Sequence, residues 1–92
     1  MNLYNEVSLR LLEQLLPYFP DFPFNPKDVR HIGSPIDLIV FDGLSDEKLE
    51  RILFVEVKTG SSASLTTRER MIKKVIEDHR VEWKELFIER NA

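Results

Sequence analysis

Two apolar, β-branched runs flank a short polar stretch: Ile36-Asp37-Leu38-Ile39-Val40-Phe41 and Ile52-Leu53-Phe54-Val55-Glu56-Val57-Lys58. Such runs read as strands, and the Asp42-Gly43 turn signal between them begins a hairpin. Where one face of a hairpin is buried, a slip of one residue turns every side chain to the wrong face, so the register is tightly set. Yet the two runs carry three charges, Asp37, Glu56 and Lys58. An unpartnered charge in a core is costly. With the loop centred near Asp46 and Glu47, equidistance places Asp37 opposite Glu56, their Cβ atoms about 5 Å apart. Strand alternation then puts Lys58 on the same face as Glu56, roughly 7 Å along the strand. The Val57 side chain points into the opposite layer and its carbonyl lies between the two. Opposed carboxylates repel, and a divalent cation would relieve that repulsion by taking their oxygens as ligands. Magnesium, held by one or two carboxylates and several waters, suits a phosphate substrate. Lys58 beside it would orient or deprotonate a water, or stabilise charge on the phosphate. Taken alone, Glu56-x-Lys58 also reads as an exposed ion pair on a strand face; Asp37, interrupting an apolar strand, is what favours the site.

The rest of the chain builds around this hairpin. Val7, Leu11, Leu12, Leu15 and Leu16 recur at helical spacing over residues 6–16, with Asn5 as N-cap and Pro17 as stop. Residues 17–27 hold four prolines, which forbid a helix or central strand. Their aromatics Tyr18, Phe19, Phe22 and Phe24 predict an ordered loop packed on the core. Val29 to Ile32 reads as a short strand, Gly33-Ser34-Pro35 as a turn, residues 36–42 and 51–58 as the hairpin strands, and Gly60-Ser61-Ser62 as a flexible connection. Thr66 and Glu69 form a capping-box pattern opening a second helix, with Ile72, Val75, Ile76 and His79 as its buried stripe. Val81, Trp83 and Phe87 alternate in a last expected strand, although Glu85 breaks the pattern. His31 and His79 are read as structural, and Trp83 as a core or dimer-interface residue.

A chain of 92 residues is one domain, 1–92, with one modest core. The absence of cysteine excludes a disulfide framework and thiolate metal sites. No apolar run is long enough to cross a bilayer and no signal peptide is evident, so the expected location is cytoplasmic, without membrane contact. The net charge of −3 does not advertise nucleic-acid binding, but its distribution is uneven. Residues 66–74 carry Arg68, Arg70, Lys73 and Lys74 against Glu69. Residues 40–56 carry Asp42, Asp46, Glu47, Glu50 and Glu56 against Lys48 and Arg51. A basic helix thus accompanies an acidic hairpin, which by charge alone also fits a solvated helix face.

Pro35-Ile36-Asp37 followed by Glu56-Val57-Lys58 resembles the PD-(D/E)xK nuclease superfamily. A longer string is more specific: Glu13-Gln14, Phe22-Pro23-Phe24-Asn25-Pro26, Ile32-Gly33-Ser34-Pro35-Ile36-Asp37, Phe41-Asp42-Gly43-Leu44 and Phe54-Val55-Glu56-Val57-Lys58-Thr59-Gly60. Over about residues 10–86 it resembles endonucleases related to archaeal Holliday junction resolvases. The resemblance implies an α/β, restriction-endonuclease-like α-β-β-β-α-β core, with a mixed central sheet flanked by helices. It implies a magnesium-dependent DNA endonuclease, manganese substituting, that hydrolyses backbone phosphodiesters to a 5′-phosphate and a 3′-hydroxyl. The substrate would be branched DNA such as Holliday junctions, cut by a homodimer in recombination or repair. By position, Asp37 and Glu56 would hold the metal with the Val57 carbonyl, Lys58 would be the catalytic lysine, and Glu13 would add an acid from the first helix, with Glu6 its weaker rival. Arg70 would contact backbone phosphate, as would Lys27, Arg30, Ser34, Arg68, Lys73 and Lys74. Longer relatives carry an N-terminal hydrophobic or coiled segment that this sequence lacks. The alternative reading is a catalytically inactive nucleic-acid-binding or oligomerisation module that keeps the nuclease fold.

Overall fold

The computed structural model describes residues 10–58 and 64–90. Residues 10–15 are helical and form α1. The helix tightens into a 3-10 turn, Leu16–Tyr18, where Pro17 is buried. Proline has no N–H to continue the α-helical ladder, so the regular helix stops there. The earlier part of the expected helix, with Asn5 and Glu6, lies outside the described residues, as does Gly60-Ser61-Ser62.

Three strands follow: β1 (Val29–His31), β2 (Leu38–Asp42) and β3 (Arg51–Val55). They form one sheet in the order β1-β2-β3, antiparallel throughout. The strands are shorter than their apolar runs. Ile36, Asp37 and residues 56–58 lie just beyond the ladder. At the β1–β2 connection, Ile32 and Gly33 both donate their N–H groups to the Asp37 carbonyl, at 2.8 and 3.1 Å, which fixes the backbone where β2 begins.

Leu38 and Val40 are fully buried on one face of β2 and pack with Val29. Phe22, Phe24, Leu53, Val55 and Val57 close over them. Of the four aromatics expected to cover the core, Phe22 and Phe24 do so, in edge-to-face contact at 5.7 Å, whereas Tyr18 and Phe19 are exposed. The opposite face presents Ile39, Phe41, Ile52 and Phe54 towards the second helix and Val81.

The hairpin loop is a 3-10 turn, Leu44–Asp46, entered through Gly43 at φ +95°. A Cβ there would collide with the Lys48 carbonyl, so glycine is required. Asp28, buried at the start of β1, accepts hydrogen bonds from Gly43 N at 2.9 Å and Ser45 N at 2.8 Å. These backbone donors hold its carboxyl below the usual range. Asp28 is thus a staple between β1 and the hairpin, a role not apparent from its sequence position.

The second helix, α2 (Thr67–Glu77), starts at a complete capping box between Thr66 and Glu69. It ends with His79 in the left-handed region at φ +58°. Arg80 N reaches back to Val75 O and His79 N to Ile76 O, both at 3.0 Å, the paired closure of a Schellman motif. His79 is consequently an exposed cap residue and not part of the buried stripe, which is limited to the partly buried Ile72, Val75 and Ile76.

The expected last strand does not form. Residues 80–90 run without regular hydrogen bonding, and Trp83 and Phe87 are 86% and 91% exposed. Strand alternation needs a neighbour to pair with, and here none is paired among the described residues. Among the described residues the order is α-β-β-β-α, and the three-stranded sheet they form is antiparallel rather than mixed.

Candidate functional site

Register decides the site. Leu38 pairs with Val55 at the end of the β2–β3 ladder, so the next residues outward are Asp37 and Glu56, the opposition expected from the hairpin's symmetry. Asp37 is 7% exposed, and its Oδ2 accepts from Val57 N at 2.9 Å. That bond continues the strand pairing through a side chain and turns the Asp37 carboxylate towards the Glu56–Lys58 segment. Lys58 Nζ lies 3.8 Å from Glu56 Oε1 and 2.8 Å from Glu69 Oε1. One Glu56 oxygen, Oε2, is buried with no hydrogen-bond donor.

The electrostatics follow from this crowding. Burial, then the neighbouring carboxylates of Asp37 and Glu69, push the Glu56 carboxyl up to about 7. Glu69 moves the other way, to about 2, because it accepts from Lys58 Nζ and from Thr66 N. Lys58 is raised, chiefly by the bond to Glu69, and is held as an ammonium. Glu13 on α1 is raised by burial and by Asp37, and lowered by Arg10 and His31. Glu13 therefore feels the charge of Asp37 as well as its own burial.

Glu56 sets a pH window for stability. Its folded pKa of about 7 exceeds the ordinary 4.5, so between those values the native chain binds more protons than the unfolded one. Stability therefore falls as pH rises from about 4.5 to about 7. Glu69 acts in the opposite sense, but its stabilisation is lost only as pH falls from 4.5 towards about 2. Metal-free protein should melt at higher temperature at pH 5 than at pH 8. The Glu56→Gln variant should lose most of that slope and gain about 1–2 kcal/mol at pH 8, a value discounted for solvent screening. An unchanged slope in denaturation against pH would contradict the burial and repulsion assigned to Glu56.

A divalent cation fits these donors. Two opposed carboxylates, one with an orphaned buried oxygen, suit a hard ion that keeps several waters. Among the described residues no group of three or more His, Cys, Asp or Glu side chains is arranged to hold a metal ion, so the carboxylate donors offered to an ion here are those of the Asp37–Glu56 pair.

The expected phosphate contacts are dispersed. Lys27 and Arg30 are exposed at the start of β1, and the Arg30 guanidinium donates to the carbonyls of Lys27 and Val29. Ser34 is exposed in the turn before β2, and Arg68 on α2. Arg70 folds back to the Leu65 carbonyl at 2.6 Å, Lys74 pairs with Asp78 at 3.1 Å, and Lys73 lines the cleft between sheet and α2. That cleft has Glu56 and Glu69 in its wall. Glu69 is the site residue that sequence reasoning assigned only to a cap. A capping-box glutamate 11 residues behind Lys58 was the available signal.

A strand-end carboxylate pair with an adjacent lysine, on a small antiparallel α/β scaffold, is consistent with a nuclease-like domain. The chain matches the family described as endonuclease related to archaeal Holliday junction resolvase over residues 4–88, and it belongs to that family. No curated protein and no solved structure matches it. Among the described residues no helix is long and apolar enough to cross a membrane.

Proposed function

We propose that this chain is a magnesium-dependent DNA endonuclease that hydrolyses phosphodiester bonds in branched DNA, four-way junctions among them, as a homodimer in the cytoplasm, in recombination or repair. The observation that carries the reading is the convergence of Asp37, Glu56 and Lys58, with one Glu56 oxygen buried and unbonded. Asp37 and Glu56 would hold the ion together with the Val57 carbonyl, manganese being an acceptable substitute. When bound, the ion supplies a Lewis acid beside the scissile phosphate and makes water more acidic. Lys58, paired with Glu69 Oε1 at 2.8 Å, donates hydrogen bonds to the phosphate as charge develops there. Glu13, with its raised carboxyl, adds an acidic group at the edge of the site. Arg68, Arg70, Lys73 and Lys74 on α2, with Lys27, Arg30 and Ser34 near β1, contact the backbone and position the DNA without reading its sequence.

Synthetic junctions, flaps and plain duplex, incubated with protein and magnesium or with chelator, test this reading. Cleavage should require the ion and favour branched substrates. A rigorously purified chain that cuts none of them would refute it.

The dimer rests on a separate observation. Trp83, Leu86, Phe87 and Ile88 are all at least 78% exposed. An aromatic side chain buries about 150–250 Å², so with Val81 this segment approaches the about 800 Å² per partner of a stable interface. Sedimentation should show a dimer for the wild type and a monomer for the Trp83→Glu/Phe87→Glu double variant. A monomeric wild type would rule the dimer out.

A further inference from the structure

We infer that Glu69 is the positioning residue for Lys58: anchored in the first turn of α2, it aims the ammonium at the reacting phosphate. The inference rests on the nuclease reading of the site. Lysine is a compact charge on a flexible four-carbon stem with three donors, and Lys58 lies beyond the β3 ladder, where strand pairing no longer restrains it. Its firm contact is with Glu69 Oε1 at 2.8 Å; Glu56 Oε1 is farther, at 3.8 Å. Glu69 is itself constrained. The same Oε1 accepts from Thr66 N at 2.8 Å, while Glu69 N donates to Thr66 Oγ1 at 3.2 Å. The Glu69 side chain is only 12% exposed. The helix start thus fixes the glutamate, the glutamate fixes one donor of Lys58, and the remaining donors are free for the substrate. Preorganised donors of this kind assist where charge develops because they need no rearrangement during the reaction.

Helix capping alone does not require a charge at this position, since glutamine serves equally in a capping box. Glu69→Gln therefore separates the two roles: the amide oxygen still caps Thr66 N, but the ion pair is gone. Its kcat for magnesium-dependent cleavage should fall about tenfold to a hundredfold, with KM for DNA nearly unchanged. Met71→Ala, at an exposed position of α2, should leave kcat alone. A second readout needs no turnover. In 15N NMR of the intact chain, the Lys58 ammonium should give an ordered, slowly exchanging signal in the wild type and a lysine-like averaged signal in Glu69→Gln. A Glu69→Gln variant with wild-type kcat and an unchanged Lys58 signal overturns the inference. If the wild type cleaves nothing, the nuclease reading fails, and the NMR comparison still decides whether Glu69 orders Lys58. Identical signals would overturn that too.

Discussion

Asp37→Asn should reduce magnesium-dependent cleavage by at least about a thousandfold while the chain stays folded. The substitution preserves volume and keeps an oxygen able to accept from Val57 N, the contact that Asp37 makes at 2.9 Å. Strand pairing beyond Leu38 and Val55 is therefore retained. What disappears is one of two negative charges facing the same point, the feature by which the pair would hold a cation. Removing it also relieves the repulsion that raises Glu56, so metal-free stability at pH 8 should be equal or higher. The contrast between lost activity and kept stability is diagnostic. Magnesium should raise the melting temperature of the wild type, by mass action on the native state, and leave that of Asp37→Asn unmoved. Near-normal cleavage by a folded Asp37→Asn chain would show that the ion is held elsewhere.

The opposition of Asp37 and Glu56 was legible because a hairpin is a symmetric object. Once the loop centre lies between Asp46 and Glu47, pairing follows by counting, and Leu38↔Val55 is the pair that results. The capping box at Thr66 and Glu69 was legible for a similar reason, being a local pattern with a local cause. The second contact of Glu69 was hidden, because it depends on how α2 approaches the end of β3, and that is a matter of tertiary packing. His79 misled because helical periodicity continues through a residue whose backbone has already turned left-handed. The Val81–Phe87 alternation misled because a strand is a relation between two segments. The three-stranded sheet offers an unpaired β3 edge, but sequence alternation alone did not seat this segment on it.

Leu38→Ala should be the most damaging single change to the fold, lowering stability by about 3 kcal/mol. Leu38 has no exposed surface and is, with Val40, one of two fully enclosed side chains among the described residues. The cluster around it is small: Val29, Leu38 and Val40, with five partly buried neighbours. Small domains have little stability to spare, on the order of 0.1 kcal/mol per residue, so the urea midpoint should fall by about 2 M. Leu49→Ala, at a position 49% exposed, should barely move it. Leu38 also immediately follows Asp37, so the core and the carboxylate pair are joined through one peptide unit. If the native state alone holds the ion, magnesium should restore part of the lost stability in Leu38→Ala. It should restore none in the Leu38→Ala/Asp37→Asn double variant, where the same fold is weakened but the ion has lost its carboxylate pair. Equal restoration in both would separate the ion from this site, and no loss at all in Leu38→Ala would remove Leu38 from the core.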